Sequence, residues 1–127
     1  LSALPPNWYR ETIESGVSPE LPGIYEWRIE GVGCYIGQYT RVRRPRRHYS
    51  RNLTRMFAGL PYRKSKPDGF RLIHHALADA IRKRRTVTLI LLENQVSKVD
   101  RNHREQELIM ERKAEAAAGG LRVLNSN

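Results

Sequence analysis

Apolar and polar positions alternate in short stretches through the first third of the chain and at helical spacing through much of the rest. Pro22 to Gly37 carries apolar or aromatic residues at Ile24, Trp27, Ile29, Val32, Cys34 and Ile36, broken by Gly31 and Gly33. Strand-length apolar runs joined by glycines read as a β-hairpin that reverses at Gly31-Val32-Gly33. Alternation over Ile24, Glu26, Arg28 and Glu30 is imperfect. A two-sided sheet or a bulge would each produce this, so the pattern fixes neither the inner face nor the register. Ahead of the hairpin, Trp8 to Glu14 is expected to form a short helix with Trp8 and Ile13 inward, ending at Gly16, within an N-terminal flap spanning residues 1–21.

Behind the hairpin, Thr40 to Phe57 predicts a helix beginning near Arg44. Pro45 then falls in the first turn, where its missing N–H costs nothing. Tyr49, Asn52, Leu53 and Phe57 share its inward face, and Arg44, His48 and Arg51 form an adjacent strip. The glycines and prolines of Ala58 to Gly69 make that stretch a loop. Helical spacing returns from Phe70 to Arg84, with Phe70, Ile73, Leu77, Ala80 and Ile81 on one side. Thr86 to Leu92 reads as a strand buried on both faces. A linker, Glu93 to Asp100, leads to a last helix from about Arg101 to Ala118, which Gly119-Gly120 stops before an extended piece at Leu121 to Asn125. The expected fold is α+β, a single domain over residues 1–127. Its core would be a small three-stranded antiparallel sheet, the hairpin plus the later strand, flanked by helices.

Charge changes the picture more than composition does. A chain of 127 residues has room for one modest core, and its formal charge of +10 calls for an anionic partner. Nucleic acid leads, ahead of an anionic membrane surface or an acidic protein. The net charge is −3 over residues 1–36, +10 over residues 37–67 and +3 over residues 68–127. The excess therefore follows directly on the hairpin, as Arg41, Arg43, Arg44, Arg46, Arg47, Arg51, Arg55, Arg63, Lys64 and Lys66. Arginines at a helix start oppose the helix dipole, and a bound phosphate is the simplest reason to keep them there. Arg82 to Arg85 reads either as a solvated helix end or as a second phosphate contact. No apolar run reaches the length of a membrane span, so no membrane partner is expected. The single cysteine, Cys34, excludes an intrachain disulfide and a cysteine-cluster zinc site and reads as a buried small hydrophobe. A reducing, nucleic-acid-containing compartment, cytoplasmic or otherwise intracellular, is expected.

Gly23-Ile24-Tyr25 and Tyr35-Ile36-Gly37, at hairpin spacing, resemble the paired signatures of the GIY-YIG nucleases. The resemblance spans residues 21 to 125 and implies a metal-dependent endonuclease acting on DNA. In that family an arginine on the next helix faces the scissile phosphate, often with a histidine four residues on, and Arg44 and His48 fit the pair. Arg43, Arg46 and Arg47 compete, because Arg44 comes one residue nearer the glycine than is usual and directly precedes a proline. The family's metal-holding glutamate falls on Glu105 of Arg104-Glu-Gln-Glu-Leu-Ile109, or on Glu107 in a shifted register, and its stabilising asparagine on Asn125.

Phosphodiester hydrolysis needs an activated water, neutralisation of charge developing on the phosphate and help for the leaving oxygen. The resemblance assigns these tasks to residues of this chain. Tyr25, as phenolate or relayed through His48, orients and deprotonates the water. Arg44 clamps the non-bridging oxygens, and Tyr35 bonds a phosphate oxygen or the water. Glu105 binds one Mg²⁺ or Mn²⁺. A catalytically inactive nucleic-acid-binding module and a basic interaction protein are the alternatives. Spare length for specificity is limited to the Ala58–Gly69 loop and the flap, so a homodimer that completes a recognition surface is one expected arrangement.

Overall fold

The computed structural model describes residues 3–125; Leu1 and Ser2 of the expected flap, with Ser126 and Asn127, lie outside the described residues. The expected hairpin forms as β2 (Gly23–Ile29) and β3 (Gly33–Tyr39), paired from Gly23↔Tyr39 to Ile29↔Gly33. The later strand forms as β4 (Val87–Asn94) and runs antiparallel to β2 on its other side.

The sheet does not stop there, and the three-stranded antiparallel expectation is corrected. Two edge strands, β1 (Arg10–Ile13) and β5 (Arg122–Val123), make a five-stranded mixed sheet of order β1-β4-β2-β3-β5, with β1 parallel to β4 and β5 parallel to β3. β1 also replaces the short helix expected between Trp8 and Gly16. The open edge of β4 offers that segment a ladder from Arg10↔Thr88 to Ile13↔Leu91, extended by Glu14 N–H to the Leu91 carbonyl at 3.0 Å. Just before it, Trp8 stacks on Trp27 with ring centroids 5.1 Å apart, and Tyr9 meets Trp27 edge-on. Backbone pairing and aromatic packing together outweigh the local tendency of four residues.

Both faces of the sheet are covered, which accounts for the broken alternation in β2. On one face Tyr25, Trp27 and Ile29 pack against α1 (Tyr49–Phe57) and α2 (Leu72–Arg82), through Tyr49, Leu53, Phe57 and Leu77. On the other, Ile24 and Ile36 meet Leu108 and Ile109 of α3 (Lys98–Ala117). Glu26 lies under α3 with no exposed surface, and its carboxylate accepts from Arg112 Nε at 3.0 Å and Arg28 Nη2 at 3.1 Å. A buried carboxylate held by two guanidiniums keeps a charge inside that would otherwise be expelled.

α3 starts earlier than the periodicity indicates because Ser97 caps it, its hydroxyl accepting from Asp100 N–H at 3.1 Å. Among the described residues no helix is long and apolar enough to cross a membrane.

Candidate active cleft at the edge of the sheet

The two glycines of the paired tripeptides are spaces for tyrosine rings. Tyr25 stands opposite Gly37 across the ladder, and Tyr39 opposite Gly23. A Cβ on Gly37 would lie 2.3 Å from Tyr25 Cζ; one on Gly23 would lie 2.9 Å from the Tyr39 hydroxyl and 2.4 Å from the Glu93 carbonyl. With no side chain at Gly37, the buried Tyr25 ring lies across β3 toward the open part of that strand's edge, since β5 pairs only with Gly33 and Cys34.

A cleft of about 560 Å³ opens there, lined by Tyr25, Tyr35, Arg44, Arg71, Lys98, Arg101, Asn102 and Glu105 among others. Tyr25 and Tyr35 come from the face covered by α1 and α2, and Glu105 comes from α3 on the opposite face, yet they share this one cleft.

Around it the hydroxyls are linked. The Tyr25 and Tyr49 hydroxyls are 2.7 Å apart, and Arg71 donates to the Tyr35 hydroxyl at 3.0 Å and to that of Tyr49 at 3.5 Å. Burial, then the neighbouring phenols Tyr49 and Tyr35, push the Tyr25 phenol well above its ordinary value, against a smaller opposing effect of Arg71. Burial first, then Tyr35, pushes Tyr49 up as well. Both are therefore neutral at physiological pH, joined as donor and acceptor.

Arg44 opens the helix with a π-helical turn, Arg44–His48, and Pro45 is its second residue and is buried. A π turn bonds residues five apart, so the backbone partner of Arg44 is Tyr49. Arg44 lines the cleft and also an adjoining cavity of about 380 Å³, which it shares with His48, Tyr49 and Arg51. The expected strip of Arg44, His48 and Arg51 thus faces one cavity, but His48 does not line the cleft with Tyr25. Burial, then Arg51, Arg44 and Arg43, lowers the His48 pKa and keeps it neutral.

The competing arginines point elsewhere. Arg43, Arg46 and Arg47 line a separate depression with Val42, and Arg46 is held by Glu11 through two bonds of 2.8 and 2.6 Å. Arg55 Nε is tied to the Pro61 carbonyl at 2.8 Å, and Arg82 lies over the Phe57 ring at 4.8 Å. Arg41, Arg63, Lys64 and Lys66 are exposed.

Among the described residues Glu105 is the one acidic residue lining the cleft. One of its oxygens accepts from Gln38 Nε2 at 3.3 Å, and burial raises its pKa against the lowering effect of that bond. Glu107 lies outside, next to His103 at 3.8 Å and Arg104 at 3.7 Å. Among the described residues no three His, Cys, Asp or Glu side chains gather as a metal cluster. A half-buried carboxylate without a cation partner still suits Mg²⁺, which keeps most of its waters and takes one or two carboxylates together with substrate phosphate.

Asn125 acts on the backbone. Its side chain accepts from Ile36 N–H at 3.0 Å and donates to the Ile36 carbonyl at 2.8 Å, pairing with β3 just past β5 and beside Glu105 and Tyr35. The sequence reading missed Arg71, Tyr49 as a polar partner, Gln38 and Arg101. Arg101 is buried and donates to the Val96 carbonyl at 2.6 Å. The helical spacing marked Tyr49 only as an inward-facing residue. Comparison with protein-family models, with curated proteins and with solved structures finds no match.

Proposed function

We propose that the chain is a GIY-YIG-type endonuclease that hydrolyses DNA phosphodiester bonds with Mg²⁺ or Mn²⁺ held by Glu105. One observation carries the reading: a single carboxylate, Glu105, and the phenols of Tyr25, Tyr35 and Tyr39 share a cleft of about 560 Å³ with the cations Arg44, Arg71, Lys98 and Arg101. Arg44 and Arg71 would grip the non-bridging oxygens from two sides, and Tyr35, already oriented by Arg71, would donate to one of them. Tyr25 would orient the attacking water. Because its phenol is neutral and its hydroxyl is bonded to that of Tyr49, Tyr25 would hold the water in line, and the proton the water loses would leave to solvent through the open cleft. When bound, the metal ion supplies Lewis-acid neutralisation of charge on the phosphate and on the leaving 3′ oxygen.

Plasmid cleavage tests this. The wild type is expected to nick supercoiled DNA in Mg²⁺ and not in EDTA. Glu105→Gln and Tyr25→Phe are each expected to cut at least about 100-fold more slowly with DNA binding retained, as for groups used in the transition state. Full activity in Glu105→Gln rejects the metal ligand. A wild type that binds DNA in Mg²⁺ without cutting it makes the chain a binding module instead.

A further inference from the structure

The cavity beside the cleft is more positively charged than the cleft itself. Arg44, Arg51, Arg55, Arg63 and Arg71 all line its 380 Å³, and no carboxylate does. Some arginines elsewhere are paired with acids, as in Arg46–Glu11, Arg104–Glu93 and Arg112–Glu26, and among the described residues none of the five cavity arginines is. Uncompensated like charge in a concave site concentrates the field on whatever enters. The two histidines of the cavity feel it: burial first and then nearby arginines lower both, His74 to about 4.

One wall is aromatic and fixed. The Tyr62 ring lies back on Gly69, where a Cβ would come within 2.6 Å of it, and meets Phe70 edge-on at 5.4 Å. The turn carrying Tyr62 is closed by Tyr62 N–H to the Pro67 carbonyl at 3.1 Å and by reciprocal Arg63 and Lys66 bonds of 3.3 and 3.2 Å. Arg63, an exposed side chain, lies over the same ring at 5.1 Å, and a base stacking there would take its place. Guanidiniums for a phosphate beside an aromatic face for a base are the two halves of nucleotide recognition.

We propose that this cavity binds a single unpaired nucleotide, its phosphate on the arginines and its base against Tyr62. A paired base is held in its stack and must leave it to enter a pocket of this size. Because Arg44 and Arg71 belong to both cavities, the nucleotide would adjoin the phosphate in the cleft, so the enzyme would select DNA with an unpaired base next to the cut. That selectivity rests on the proposed nuclease reading; the nucleotide site does not.

The test is calorimetric titration of the wild-type protein with 5′-deoxyadenosine monophosphate, inorganic phosphate and deoxyadenosine. The monophosphate is expected to bind at least about tenfold tighter than either half, the advantage that base–aromatic stacking supplies. Tyr62→Ala should bring the monophosphate down to the affinity of phosphate, and Tyr62→Phe should keep the advantage. A monophosphate that binds no tighter than phosphate to the wild type overturns the proposal, even if Tyr62→Ala does not fold, and so does an advantage that survives Tyr62→Ala. Protein that binds the monophosphate but cuts no DNA retains this site and loses the nuclease. Protein that cuts DNA with no preference for the monophosphate over phosphate loses this site alone.

Discussion

Placing a methyl group on Gly37 probes how tightly the cleft is built. The new Cβ would lie 2.3, 2.4 and 2.7 Å from the Cζ, hydroxyl and Cε2 atoms of Tyr25, well inside contact distance. Tyr25 is 3% exposed and its hydroxyl is bonded to Tyr49, so the ring cannot swing into solvent to make room. Overpacking of this kind costs about 1–3 kcal/mol. At a urea m-value of about 2 kcal/mol/M, a loss near 2 kcal/mol lowers the midpoint of tryptophan-monitored unfolding by about 1 M. Displacing the phenol by roughly an ångström should also cost about 100-fold in cleavage. The decisive comparison is a double-mutant cycle with Tyr25→Ala. Without the ring the clash disappears and Gly37→Ala should be close to neutral, so the two sites should couple by about 1–3 kcal/mol. Equal costs of Gly37→Ala in both backgrounds would refute the steric argument. Gly23→Ala provides the contrast, because its methyl meets the Glu93 backbone carbonyl at 2.4 Å, and trimming Tyr39 should not relieve it.

Three further outcomes follow from groups already described. His74 is buried with a pKa lowered to about 4, so between pH 6.5 and 4 the unfolded chain binds a proton that the folded one refuses; stability should fall by about 3 kcal/mol as the pH drops through that window, and His74→Gln should flatten the denaturation-against-pH curve there. Asn125→Ala removes two bonds to the Ile36 backbone and should cost about 1–3 kcal/mol by urea melting, with slower cleavage as β3 loosens beside the cleft. Burial, then Glu26, pushes the Cys34 thiol to about 11, so a thiol reagent at neutral pH should leave the native protein unlabelled and label it fully in urea.

The longer segments could be read in the sequence: the hairpin from its glycine-broken apolar runs, the Phe70–Arg84 helix from its helical spacing, β4 from its continuous apolar run and the last helix from the Gly119-Gly120 stop behind it. The pairing of the edge strands could not, although Leu121 to Asn125 read as extended. Arg10–Ile13 and Arg122–Val123 have four and two residues, and what makes them strands is the open edge of β4 or β3 beside them. Glu26 broke the hairpin's alternation because its partner Arg112 lies 86 residues away on the helix beneath. Of the cleft, Tyr25, Tyr35, Arg44 and Glu105 were identifiable as residues, although nothing local showed that groups from opposite faces would meet around the end of β3. Arg71 carried no signal, since it reads as an ordinary charge off the apolar side of the Phe70–Arg84 helix and acquires its partners, Tyr35 and Tyr49, only when the sheet and α1 are assembled.

Gly37 opposite Tyr25 and Gly23 opposite Tyr39 give the two glycines of the paired tripeptides a second meaning. They are a seating rule, written in volumes, for two large rings on a crowded ribbon. On the nuclease reading proposed above, a relative without turnover would still lose stability if it lost them. Arg44 and Glu105 seat no ring, so on that same reading drift at those two positions, with the glycines unchanged, would be the mark of such a relative.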